Sequence, residues 1–283
     1  MKYFLFLSLF TLIAQTGRAA TSHETLFINR GEIEAVDSNK FSYLAFNNST
    51  SFYKDNVRIR LTVGDSLILM IVNNDSINHT FSCQSQITNQ LPILPGDTGL
   101  YRFKFNQSGV FIFYDVNPEL AYLGLGSMIS VENNSNAHFF WNIKEHNKSW
   151  NDTIAKGYPI NWATYYPDYF LINGNSNPDI NNDPIARVTG NVGDTIYINI
   201  ANTGKSIHSL HFHGYHGTLI YSSKDPNQQG RSKDTFPVYP MESIIVQIIP
   251  DKVGEYPVHD HNLVAVSGGN FYPNGMFLTM LIQ

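Results

Sequence analysis

Six of the ten histidines of this chain stand in two short stretches: His208, His211, His213 and His216 in the first, His259 and His261 in the second. His211-Phe212-His213 and His259-Asp260-His261 each have the form His-x-His. On a β-strand, side chains alternate with period 2, so each pair presents both imidazoles on one face. If the two strands are neighbours, four imidazoles converge. Neutral imidazoles suit a borderline transition metal, copper or zinc, rather than magnesium or calcium. His211, His213, His259 and His261 are therefore the candidate metal ligands. Copper is the metal expected, with zinc second, because four imidazoles can also close a tetrahedral site. His216, just beyond Gly214, is a candidate fifth ligand or proton donor. Asp260, between two ligands, is a candidate proton-moving group or a partner that orients an imidazole.

The segments that must carry these residues read as short strands. RIRLTV, SLILMIV, YRFKF, VFIFY, TIYINIA, SIIVQII and MFLTMLI are β-branched or aromatic and bounded by Gly, Asn, Asp or Pro. No stretch of twelve or more residues carries a helical period. The chain also repeats itself. Val63-Gly64-Asp65 before one strand recurs as Val192-Gly193-Asp194 before another, a spacing of 129 that also relates Asn73 to Asn202 and His79 to His208. Further on the spacing is 145, relating Asp115 to Asp260 and Asn117 to Asn262. The extra residues fall between His216 and Pro240, where a polar, turn-rich stretch reads as an inserted surface loop. Each repeat is expected to form a β-sandwich or barrel, over 24–134 and 135–283.

Residues 1–19 read as a signal peptide: Lys2, an apolar run from Tyr3 to Ala14, then small residues before a cut after Ala19. A secreted or periplasmic protein with no membrane span after processing is expected. Sequons including Asn48, Asn78, Asn106, Asn147 and Asn151 would matter only in a eukaryotic secretory pathway. Cys83 is the single cysteine, which excludes an intrachain disulfide and reads as a small buried hydrophobe. The net charge of −5, with no basic stripe, argues against nucleic acid or an anionic membrane as partner.

These motifs resemble those of the multicopper oxidases. His208-x-x-His211-x-His213-Gly214 is similar to the penultimate copper motif of that family, and Gly254-x-Tyr256-x-x-His259-Asp260-His261 to its last, usually Gly-x-Tyr/Trp-x-x-His-Cys-His. Lys233-Asp234-Thr235 and the Asn173-Gly174 turn also look like the family, and two-domain copper nitrite reductases have a similar layout. The resemblance implies an all-β chain of two tandem cupredoxin-like, Greek-key domains. It implies that His211 serves a type 2 copper and that His213, His259 and His261 serve a type 3 pair. Two-domain members often form trimers in which one subunit's first domain faces the next subunit's second, so a homotrimer is implied as well.

The departures bear on chemistry. A blue copper needs a thiolate, and Asp260 stands in its place. The second type 1 histidine is absent, which leaves Met276, at the axial position, as a core residue. The first domain has Ser82, Gln84, Tyr114 and Val116 where copper ligands belong, so half of a trinuclear centre is missing. Both repeats keep a histidine and an aspartate at matching places, His79 with Asp115 and His208 with Asp260. Each Asp is expected to accept a hydrogen bond from its His and fill the vacant copper hole. The function expected is a copper-dependent oxidoreductase acting on a small molecule without a blue-copper relay. The alternatives are copper sequestration or delivery, and an interaction sandwich whose histidines are relics. Laccase-type oxygen reduction is not expected from one such chain.

Overall fold

The computed structural model describes residues 19–283. The expected signal peptide, apart from Ala19, lies outside them. The fold is nearly all-β. The first half holds β1 (Thr21–Glu34), β2 (Lys40–Asn47), β3 (Ile59–Thr62), β4 (Ser66–Asn73), β5 (Phe81–Cys83), β6 (Thr98–Lys104), β7 (Gly109–Asp115) and β8 (Gly126–Glu132), with helix α1 (Pro118–Tyr122). The second holds β9 (Ala137–His146), β10 (Tyr169–Ile172), β11 (Thr189–Gly190), β12 (Ile196–Asn202), β13 (His208–Phe212), β14 (Gly217–Ser222), β15 (Ser232–Lys233), β16 (Thr235–Val238), β17 (Ser243–Ile248), β18 (Gly254–Asp260) and β19 (Phe277–Ile282), with helix α2 (Lys148–Ala155). Four sheets result, in the orders β2-β1-β4-β6, β3-β8-β7-β5, β10-β9-β12-β17-β14-β15 and β11-β19-β18-β13-β16.

Each half encloses its own core between two sheets. In the first, Leu26, Phe46, Leu67, Phe81, Phe103 and Phe113 pack together. Cys83 lies there too, 2% exposed, and burial pushes its thiol well above the ordinary range. In the second, Trp141 stacks on Phe212 at 5.7 Å beside Ile198, Val246, Val258 and Met276. Period 2 explains the pattern. The β12 isoleucines 196, 198 and 200 face this core, while Tyr197 and Ala201 face the first half. There Val110, Ile112 and Met128 meet Phe140, Ala201 and Ile245. Burying an aliphatic or phenyl side chain contributes about 1.5–3 kcal/mol, so this apolar seam joins the halves firmly.

The repeat recurs in bonding detail. Asn73 Nδ2 donates to Ile77 O and Ile93 O, and Asn202 Nδ2 donates to Ser206 O and Val238 O. Asp65 accepts from Thr62 N, and Asp194 from Asn191 N. His79 pairs with Ile93 as His208 pairs with Val238. The inserted stretch corrects the surface-loop expectation in one respect. Its first residues form β14, which pairs with β17 and with β15, so the insertion widens a sheet as a hairpin. The apolar run Thr218-Leu219-Ile220-Tyr221 is the cause, and only its polar tip is loop. Among the described residues, no helix is long and apolar enough to cross a membrane.

Candidate metal centre

The two histidine stretches lie on adjacent antiparallel strands. The register sets His211 opposite His259, Leu210 opposite Asp260 and Phe212 opposite Val258. Alternation then sorts the motif by face. His208, Leu210, Phe212, Val258 and Asp260 point inward and are buried. His211, His213, His259 and His261 point outward, half-buried or exposed. Ring centroids are 4.7 Å apart for His211–His213, 5.6 Å for His211–His259, 5.5 Å for His211–His261 and 5.1 Å for His213–His259. The structure thus brings the four expected ligands together. The register extends the row across the sheet, with Thr235 of β16 opposite His211 and Phe277 of β19 opposite His259, its ring stacked at 6.1 Å.

Hydrogen bonds fix two of the four rings. His259 Nδ1 lies 2.8 Å from Asp260 O, a carbonyl that can only accept. Its Nδ1 therefore carries the proton and its Nε2 a bare lone pair. Nε2 of His259 faces Nε2 of His213 at 2.9 Å. Two imidazoles bound at about 2.0–2.1 Å to one ion, at a right angle, place their nitrogens about this far apart. His211 Nδ1 lies 2.9 Å from Thr235 Oγ1. Burial, with the His211 and His259 imidazoles beside it, holds the His213 imidazole below its ordinary value. Among the described residues no three donors already close on a single point, so at least one further ring must turn to complete a ligand set. The donor chemistry and the facing nitrogens fit copper. The site lies on an open face, away from the hollow near the β1–β2 hairpin that is lined by Ile33, Phe41 and Leu171.

His216 sits exposed in the turn between β13 and β14. Gly214 makes that turn possible: its φ is +82°, and a Cβ there would lie 2.3 Å from the Tyr256 ring. Asp234, which accepts from Thr235 Oγ1 at 3.0 Å, is held below the usual carboxylate range by that hydroxyl and by the His211 and His216 imidazoles.

Asp260 belongs to the interior instead. Its side chain is fully buried, and its Oδ2 lies 2.6 Å from His208 Nδ1. Asp115 Oδ2 lies 2.7 Å from His79 Nδ1. The expected pair is present in both halves. Sequence reasoning missed the third member of each. Glu145 Oε2 lies 2.9 Å from His208 Nε2, and Asp75 Oδ2 lies 3.0 Å from His79 Nε2. Each ring has a carboxylate at both nitrogens, the arrangement of an imidazolium. Burial alone would lower the pKa of His208, but the hydrogen bonds and charges of Asp260 and Glu145 prevail and push it up to about 9. Glu145 Oε1 also accepts from Tyr165 Oη, Lys205 N and Ser206 N.

The third carboxylates come from different places. β1 pairs Ile28 with Asn73 and β9 pairs Ile143 with Asn202, so Arg30 is the counterpart of Glu145. Arg30 grips Asp75 with Nε and Nη2 at 2.8 and 2.7 Å. The counterpart of Asp75 is Gly204, where a Cβ would collide with Glu145 Oε2 at 1.9 Å. Only glycine leaves room for Glu145 there.

Residues 138–282 match the family model described as multicopper oxidase. No curated protein matches the chain. Among solved structures, the blue copper oxidase of Nitrosomonas europaea superposes with a TM-score of 0.79 at 21% identity, over 93% of this chain and 86% of that one. The copper nitrite reductase of the same organism gives 0.74 at 16%, over 93% and 94%. A laccase from Botrytis aclada gives 0.70 at 16%, over 92% and 52%. At these identities the likeness is one of fold.

Proposed function

The chain belongs to the multicopper oxidase family, and on that premise we propose that it is an exported copper protein acting as a copper-dependent oxidoreductase on a small molecule. The observation that carries this reading is the pair of Nε2 atoms of His213 and His259, facing at 2.9 Å inside a cluster of four imidazoles. Bound there, copper would supply one-electron redox chemistry. His211 and His259, each held at Nδ1, would offer Nε2 lone pairs to it, and His213 and His261 would complete the set. His216, exposed beside them, exchanges protons with solvent or substrate. Asp260 faces away, so its part is structural: its carbonyl holds the His259 ring and its carboxylate holds His208. With a carboxylate where a thiolate would stand, no blue-copper relay feeds electrons inward, and the reductant must meet the cluster directly. The open face that carries the four imidazoles, followed in the chain by exposed Leu263 and Val264, is the surface that another subunit of a homotrimer would cover.

The test is metal content of the mature protein after copper loading, wild type beside His211→Ala/His261→Ala. Copper at one or more per wild-type chain, absent from the variant, is expected, with turnover of small reductants. Copper bound without turnover would favour sequestration or delivery. No copper in either protein would sink the reading.

A further inference from the structure

The two fixed imidazoles are fixed by different means. His259 is held by a main-chain carbonyl, which no substitution removes. His211 is held by a side chain, and that side chain is itself held. The β13–β16 register places Thr235 opposite His211. Thr235 Oγ1 lies 2.9 Å from His211 Nδ1 and 3.0 Å from Asp234 Oδ1. An ionised carboxylate only accepts, so the threonine proton goes to Asp234. The hydroxyl then has only lone pairs to offer His211, whose Nδ1 must carry the proton. Nε2 is left bare, on a ring whose centroid lies 4.7–5.6 Å from those of His213, His259 and His261. Among the described residues no hydrogen bond orients the His261 ring in this way.

We propose that Asp234 and Thr235 are positioning residues for the copper site, a carboxylate–hydroxyl chain that sets the tautomer and orientation of His211 before metal arrives. This rests on the reading that the four imidazoles hold copper. It makes His211 the prepared ligand on β13, as the Asp260 carbonyl makes His259 the prepared ligand on β18. Partners of this kind around a metal-binding imidazole typically govern about 10–100-fold in affinity.

The experiment uses the full mature chain with Thr235→Val, which keeps the shape and removes the hydroxyl, Thr235→Ser, which restores it, and Asp234→Asn. Nitrogen-resolved imidazole NMR of the metal-free protein reads the His211 tautomer, and a Cu(II) titration reads affinity. Wild type and Thr235→Ser should show one His211 tautomer, protonated at Nδ1. Thr235→Val should show a mixture and bind copper about 10–100-fold more weakly, and Asp234→Asn should move both readings the same way. An unchanged tautomer in Thr235→Val overturns the proposal, as does a changed tautomer with wild-type copper affinity. If the wild type takes up no copper while the tautomer moves as expected, the chain still positions His211 and the copper reading alone falls.

Discussion

At the residue scale, the chemistry of this chain is divided by the parity of a strand. In His208-Ser209-Leu210-His211, one histidine turns into the core and another out of it, and Asp260 between two outward imidazoles turns in. The inner set carries a pH signature. The folded His208 pKa of about 9 lies above its ordinary 6.5. Its contribution to stability is therefore complete below pH 6.5 and is lost as pH rises through about 9. Glu145 works on the acid side. Burial alone would raise its carboxyl, but bonding to His208 and the His208 charge hold it lower. Its contribution is present above the ordinary value and is lost as pH falls. Urea denaturation of metal-free protein across pH should give a plateau with both limbs. His208→Leu, which leaves Glu145 and Asp260 facing each other unpaired, should cost about 3–5 kcal/mol at pH 7. An unchanged midpoint would refute the ion triad.

At the element scale, the site is a consequence of one register. A slip of one residue between β13 and β18 would place His211 opposite an inward side chain and scatter the cluster. The turn after β13 guards that register. Gly214→Ala puts a Cβ against Tyr256 at positive φ, so it should destabilise by about 1–3 kcal/mol and loosen copper binding. Calorimetry with a parallel copper titration checks both, and wild-type values in each would show that the turn is not under constraint. The outward four were legible in the sequence because both His-x-His pairs obey strand periodicity. Glu145 was not: it reaches His208 across 63 residues through the pairing of β9 with β12. Nor was the role of Thr235, which depends on a strand register that no local pattern encodes. The β14 strand was hidden for another reason, since the polar tip of its hairpin outweighed a short apolar run.

At the scale of the molecule, the two halves are joined by polar contacts as well as by their apolar seam. Ser243 Oγ donates to Val110 O at 2.6 Å, and Gln84 Nε2 to Met241 O at 2.9 Å. From β9, Lys144 Nζ reaches Gly124 O, and Gly126 O at 2.8 Å. Burial takes the Lys144 amine down to about 7, against the pull of Asp55. The cost of burying it falls as pH rises from about 7 toward its ordinary 10.5. Lys144→Met removes one of two donors from each carbonyl, since Asn56 Nδ2 also donates to Gly124 O and Asn142 Nδ2 to Gly126 O, and should cost about 0.5–1.5 kcal/mol. In scanning calorimetry the variant should melt at a lower temperature than the wild type. A single unshifted transition would mean that the apolar seam alone couples the halves.

The two ion clusters occupy matching places in the two halves. The histidine–aspartate pair stands at matching places in both halves, and each Asp accepts from a matching main-chain amide, Asn117 N or Asn262 N. The outer carboxylates do not match, for Asp75 answers to Gly204 and Glu145 to Arg30. Each centre is filled by a buried imidazole with a carboxylate at both ring nitrogens. Neither core therefore needs a metal to satisfy its polar groups, and the surface imidazoles of the second half stand on a scaffold that folds before any ion arrives.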